Sequence, residues 1–184
     1  MDVSLPAGVA ITLLTLVGME GFAYAAHRWV MHGFMWGWHA SHHRERDGFF
    51  EKNDLFALVF AAVCTALIFA GTQTSAGTLW AWLGLGVFLY GMVYFIFHDV
   101  IVHRRLPHSV VPRSAYFKRI VQAHRLHHAV GTREGAVSFG FLYAPPVDEL
   151  VAAMKRNERL RPATASVRAK RAERAGQRRR ADVA

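Results

Sequence analysis

The chain has 184 residues, 53% of them hydrophobic, and carries a formal charge of +9. That length suits one domain, and such apolar content beside so much basic charge, the two segregated along the chain, excludes an ordinary soluble globule. The single cysteine, Cys64, lies in an apolar run; it excludes an intrachain disulfide or a thiolate metal cluster and reads as a small buried hydrophobe.

The segment Leu5–Ala26 holds one charge, Glu20. A bilayer core of ~30 Å needs about 20 helical residues, so this segment reads as a membrane span. Met1-Asp2-Val3-Ser4 lacks the positive n-region of a secretory signal, and the helix is expected to be retained. From Leu55 to Phe97 there is no Asp, Glu, Lys or Arg. The polar interruption Gly71–Thr78 divides that stretch into a hairpin of two spans, Leu55–Gly71 and Leu79–Phe97. Asn53 and Asp54 are expected to cap its first helix, because their side chains accept orphan backbone N–H groups.

Beyond the hairpin, His98–Arg133 mixes charge, histidine and proline and predicts extramembrane helices interrupted near Pro107 and Pro112. Phe139–Pro146 is aromatic and suited to the membrane interface, but too short and proline-rich for a clear fourth span. From Lys155 onward the chain is basic and alanine-rich, the composition of a frayed helix or a disordered tail. The expected fold class is therefore all-α: an integral membrane helical bundle with three clear transmembrane helices, a fourth left open, and a cytoplasmic histidine-rich helical cap. Residues 1–152 are expected to form the membrane-embedded domain and residues 153–184 the basic tail.

Orientation follows from the basic residues. None of the 22 precedes Arg28 or falls in the hairpin turn; four lie between Arg28 and Lys52 and the other 18 follow Phe97. The positive-inside rule places those regions on the cytoplasmic side of an inner membrane.

Ten of the eleven histidines fall in four groups, all on that side: His27–His32, His39–His42–His43, His98–His103 and His124–His127–His128. The order H-x4-H then H-x2-H-H occurs twice. Neutral imidazole is a common ligand for iron, copper and zinc, and a doubled pattern suits two metals with about five ligands each. In H-x2-H-H the side chains share one helix face, so each triplet can present itself to a common point. In H-x4-H the spacing is roughly 140° around a regular α-helix; either the helix unwinds locally or the two members face different metals. His108, between two prolines, is read as an ordinary surface or core residue. A structural zinc site usually has four ligands, often cysteines, fewer than are offered here. No Glu-x-x-His, H-E-x-x-H or G-x-G-x-x-G occurs, which disfavours a ferritin-like carboxylate site, a zincin protease and an internal nicotinamide or flavin domain.

Two carboxylates are candidate supporting residues. Asp99 follows His98 and could orient a ligand imidazole, or be a solvated interface residue. Glu20 is ionisable within a span, which is a functional hypothesis by default; it could equally reach water at the span end.

The runs His27-Arg28-Trp29-Val30-Met31-His32 and His39-Ala40-Ser41-His42-His43 resemble the fatty acid hydroxylase and sterol desaturase superfamily. Asn53-Asp54-Leu55-Phe56, His98–His103, Ala123–Ala129 (Ala-His-Arg-Leu-His-His-Ala) and Val137–Pro146 (Val-Ser-Phe-Gly-Phe-Leu-Tyr-Ala-Pro-Pro) bring the resemblance nearest to its bacterial β-carotene hydroxylase branch, over roughly Glu20–Pro146. That resemblance implies a membrane monooxygenase with two non-haem iron ions, zinc or another metal substituting in a purified sample. It implies His27, His32, His39, His42, His43, His98, His103, His124, His127 and His128 as the ligands. It further implies hydroxylation of β-carotene and related carotenoids at C3 and C3′, giving zeaxanthin via β-cryptoxanthin, with O2 and electrons from a ferredoxin and its reductase.

The chemistry of the residues is compatible with this. An apolar substrate could reach the site sideways from membrane lipid, past aromatics such as Trp29, Phe34, Trp36, Trp38, Tyr94 and Phe97; membrane packing is the competing role for these rings. The basic surface fixes topology, binds anionic lipid and could steer an acidic electron donor; nucleic acid is not an expected partner. Two other readings stand beside this one: the same chemistry on a fatty acyl chain or sterol, and a non-catalytic metal-binding membrane protein.

Overall fold

The computed structural model describes residues 2–46 and 48–160, and among these the protein is all-helical. Helix α1 spans Leu5–Ala25 and runs on without a break into a π-helical segment, Ala26–Phe34. Pro6 sits in its first turn, where the missing N–H costs no hydrogen bond. A short α2, Trp36–His39, follows a kink at Gly33. Then come α3, Asp54–Gln73, and α4, Leu79–Tyr94, which also continues into a π-helical segment, Phe95–Val102. Helices α5, Ala115–His128, and α6, Val147–Leu160, complete the order.

Three helical stretches are long and apolar enough to cross a membrane: Leu5–Phe34, Asp54–Gln73 and Leu79–Val102. Helix α4 packs against both α1 and α3. Small residues set these approaches, as they do where lipid removes the hydrophobic drive for helix pairing. A Cβ on Gly71 would lie 2.2 Å from the Ala81 backbone nitrogen, and one on Gly86 2.8 Å from the Thr12 carbonyl oxygen. The outward faces are apolar and exposed, as at Leu14 (73%), Val17 (70%) and Leu58 (65%), which is the arrangement a lipid solvent stabilises.

The chain reverses at Thr74–Thr78, so the end of α1, the start of α3 and the end of α4 all lie at one end of the bundle. Helices α5 and α6 cover that end. They share a small core of Ile120, Ala123, Val137, Ala144 and Leu150, joined by Phe97, Leu126 and Met154. Ser114 caps α5 by accepting the N–H of Phe117.

Two expectations are corrected. Asn53 makes no capping bond, because its side chain turns inward; Asp54 accepts the Glu51 N–H from within the helix start. Phe139–Pro146 is not exposed to an interface along its whole length: Phe141 and Ala144 are buried, while Tyr143 and Pro146 are exposed. Helix α6 continues through residue 152 to Leu160, and residues 161–184 of the basic tail lie outside the described residues.

Candidate metal centre

The ten patterned histidines meet at the covered end of the bundle in two sets of five. One set is His27, His32, His39, His43 and His127; the other is His42, His98, His103, His124 and His128. Within each set, one ring nitrogen from every residue lies within 4.8 Å of all the others. The sets adjoin, with the His43 and His128 rings stacked at 4.6 Å. His108 belongs to neither.

The backbone explains how each pair and triplet contributes. Both H-x4-H pairs lie in or at the end of the π-helical segments. The His103 N–H donates to the His98 carbonyl at 2.9 Å, an i→i−5 bond that brings i+5 above i. His27 and His32 thus approach to 5.3 Å between ring centroids, and His98 and His103 to 4.5 Å. Local unwinding therefore serves one centre with each pair.

The triplets do not converge on a common point. Residues i and i+4 differ by roughly 40° around a helix, but i+3 and i+4 by about 100°. His124 and His128 accordingly stay together while His127 turns to the other set; His39 and His43 stay together while His42 crosses over.

The outer nitrogens fix the tautomers. Nδ1 of His27, His32, His43 and His127 donates to the carbonyl oxygens of Phe139, Arg133, Val130 and Val137, at 2.9–3.0 Å. His39 Nδ1 donates to Asn53 Oδ1 at 2.7 Å, and His42 Nδ1 to Glu51 Oε1 at 2.7 Å. A carbonyl oxygen only accepts, so these rings carry hydrogen on Nδ1 and a bare lone pair on Nε2. Yet Nε2 atoms face one another: His27 and His39 at 3.1 Å, His32 and His127 at 3.1 Å, and His43 and His39 at 3.2 Å. In the second set His42 and His98 face at 3.0 Å and His103 and His124 at 2.9 Å. In the first set, where the outer bonds leave every Nε2 bare, lone pairs opposed at such range repel unless a cation lies among them.

Burial disfavours a proton in that place. Burial depresses His39 to about 3 and His43 to about 4, and holds His42, His103, His124 and His127 below the ordinary range as well. Neutral rings with inward lone pairs are the protonation state a metal requires. Ring nitrogens about 2.1 Å from one ion and at right angles to each other would lie ~3.0 Å apart, matching these separations. The donor sets fit one metal ion each.

The two expected supporting carboxylates act differently. Asp99 Oδ1 lies 3.6 Å from His98 Nδ1, too far to accept, and equally 3.6 Å from Arg105; His98 Nδ1 has no partner. Glu20 touches no histidine. It accepts from the backbone N–H of Phe141, Leu142 and Tyr143 and from the Tyr90 hydroxyl. Glu51 and Asn53 were not distinguishable as ligand supports in sequence, although Asn53-Asp54 did stand out as part of a family-like run.

Of the six aromatics expected at the site, Tyr94 stacks on His98 at 4.6 Å and Trp36 meets His32 and His43. Trp29 and Phe34 are exposed, Trp38 packs on Phe56 and Phe97 on Phe117. The rings missed were Phe139, against His27, His32 and His127, and Phe141, flat on His27 and edge-on to His98. Phe141 thus touches both sets. A polar cavity of about 140 Å³ opens beside His42 and His103, lined by Glu51, Asp99, Arg44, Arg46 and Arg105.

The model of the fatty acid hydroxylase family matches residues 12–152, a span containing all ten of these histidines. The chain is 52% identical over 153 residues to a protein of Paracoccus sp. (strain PC1) named beta-carotene hydroxylase, covering 83% of this chain and 93% of that one. It is 51% identical over 147 residues to a beta-carotene hydroxylase of Pantoea ananas, covering 79% and 82%. A chloroplastic beta-carotene 3-hydroxylase of an Oncidium hybrid cultivar is 41% identical over 145 residues, which span 78% of this chain but 47% of that longer protein. No solved structure matches.

Proposed function

The chain belongs to the fatty acid hydroxylase family, and from that membership and the paired imidazole sets we propose that it is a membrane monooxygenase with two non-haem irons. Its substrate is β-carotene or a related carotenoid, hydroxylated at C3 and C3′ of the β-ionone rings to give zeaxanthin through β-cryptoxanthin. The observation that carries the reading is the opposition of bare Nε2 lone pairs in the first five-histidine set, beside a second set of five equally close ring nitrogens. The names of the relatives direct it to carotenoids rather than to fatty acyl chains or sterols.

His27, His32, His39, His43 and His127 would hold one iron and His42, His98, His103, His124 and His128 the other. When bound, the irons supply the O2-derived oxidising power that an unactivated C–H bond demands and no side chain provides. One oxygen atom enters the product and the other leaves as water, with two electrons and two protons consumed. The protein's own part is to fix the rings and keep the site dry. The carbonyls of Val130, Arg133, Val137 and Phe139 and the side chains of Asn53 and Glu51 aim the imidazoles. Phe139, Phe141 and Tyr94 give the histidines an apolar flank.

Electrons come from a ferredoxin and its reductase. The basic residues gathered around the histidine end orient it to the cytoplasmic side of the inner membrane. Iron quantification on purified protein, paired with pigment analysis of a β-carotene-accumulating host, tests the whole reading. About two irons per chain and the appearance of zeaxanthin are expected. Unchanged β-carotene in cells holding iron-loaded protein overturns the substrate, and hydroxylated fatty acids there would supply the replacement.

A further inference from the structure

Four of the five rings in the first set are aimed by a single stretch of chain. His43, His32, His127 and His27 donate in turn to the carbonyls of Val130, Arg133, Val137 and Phe139. In the second set no such carbonyl is found among the described residues: His42 rests on Glu51, and His98 Nδ1 has no partner there. The alignment of the first set therefore depends on where residues 130–139 lie, and that of the second set does not.

Residues 130–139 form no helix or strand, so few internal backbone bonds hold them. One end is fixed to α5. The other is fixed at Phe141–Tyr143, and there the anchor is Glu20 of α1. Glu20 Oε1 accepts three successive backbone N–H groups, from Phe141, Leu142 and Tyr143, at 2.9, 2.9 and 3.1 Å. Its Oε2 accepts the Tyr90 hydroxyl of α4 at 2.8 Å. Three converging amides form a nest for an anion, and charge-assisted bonds of this kind are about twice as strong as neutral ones. The close fit requires Gly140: a Cβ there would lie 2.8 Å from Glu20 Oε1 and 2.7 Å from the Tyr143 carbonyl oxygen.

We propose that Glu20 is a positioning residue for the first centre: by clamping the 141–143 amides it holds the 130–139 carbonyls that aim His27, His32, His43 and His127. It sits on the same helix as His27 and His32 and ties the far end of the loop back to them, so ring and acceptor keep a common frame. The clamp rests on the metal-centre reading given above.

The test uses the full chain in detergent, loaded with zinc(II) as a probe, and follows zinc release to a chromogenic chelator. His43→Ala and His128→Ala assign the release phases, one to each centre. The wild type is expected to hold two zinc ions; a wild type that binds none overturns the metal centre itself, separately from the clamp. In Glu20→Gln, which keeps the shape and loses the charge, zinc is expected to leave the first centre about tenfold faster, the lower end of what loss of an outer support costs a metal site. Release from the second centre stays within twofold. Gly140→Ala strikes the same contact from the loop side and is expected to show the same one-sided change. Equal acceleration of both phases in the two variants makes Glu20 a general stability residue and overturns the proposal, as does no change in either.

Discussion

His42 and His127 each occupy the i+3 position of an H-x2-H-H triplet, and each faces the set built on the other triplet's segment. His42 Nε2 lies 3.0 Å from His98, and His127 Nε2 lies 3.1 Å from His32. The exchange makes each centre a joint between the early and late halves of the chain. Replacing His42 or His127 singly by Ala is expected to remove one metal of two while leaving the protein inserted in the membrane, and to reduce hydroxylation at least 100-fold. Elemental analysis of purified variants beside pigment profiles checks this. Because the two variants empty different centres, each should retain the metal that the other loses.

Among the described residues, Asn53 is the only non-histidine side chain that accepts from the first set, at 2.7 Å from His39 Nδ1. Asn53→Leu removes the acceptor and leaves a buried N–H unsatisfied beside a ligand ring. Metal affinity at that centre is expected to fall by about 10–100-fold, the cost typical of losing an outer hydrogen bond to a ligand histidine. Asn53→Asp keeps an acceptor at the same place and should retain most of the affinity. Competitive zinc titration against a chelator distinguishes them; equal loss in both variants would assign the residue to loop packing instead.

The spans and the histidine groups were legible in the sequence because each is a local pattern. Absence of charge from Leu55 to Phe97 and the spacing of the ten imidazoles need no tertiary information. The partition of the rings was not legible. It depends on π-helical winding around His27–His32 and His98–His103, which the i, i+5 spacing left as one of two alternatives without deciding between them. Supports such as Glu51 and the Val137 carbonyl stayed hidden for a related reason: a carbonyl has no side-chain signature, and Glu51 looks like any loop carboxylate until the chain folds it against His42. Glu20 was visible as an anomaly in a span, but its partners lie 70 to 123 residues away.

Acid should unfold the metal-free protein earlier than its carboxylates alone would dictate. Burial holds His39 at about 3 and His43 at about 4, against 6.5 for an unperturbed ring. His42, His124 and His127 are depressed as well. Between the folded and unfolded values the unfolded chain binds more protons, so stability rises with pH and is lost on acidification. The loss begins just below 6.5 and continues to about 4 for His43 and about 3 for His39. Each such ring contributes up to ~1.4 kcal/mol per pH unit within its window. Thermal melts of metal-free protein from pH 7.5 to 5 are expected to show a steep fall in Tm. Metal loading should lessen the fall, since bound rings cannot take up protons; a flat profile in the metal-free protein contradicts the burial of these rings as neutral bases.

Arg105 supplies the positive charge that lets three carboxylates gather beside the second centre. Its guanidinium donates to Asp54 Oδ1 at 2.7 Å and lies 3.7 Å from Glu51 and 3.6 Å from Asp99. Only 10% of its side chain is exposed. The pairing ties the start of α3 to the chain just beyond the second π-helical segment, and so holds Glu51 against His42. Arg105→Met keeps the length but strands the acids without their counter-charge. Breaking one partner of a largely buried pair costs about 3 kcal/mol or more, so a marked drop in Tm is expected. Removing Asp54 as well, in Asp54→Asn with Arg105→Met, should restore part of that loss, because one stranded charge disappears. Chemical denaturation of the two single variants and the double variant gives the coupling directly. Strict additivity, with no recovery in the double variant, would show that the ion pair does not hold this junction together.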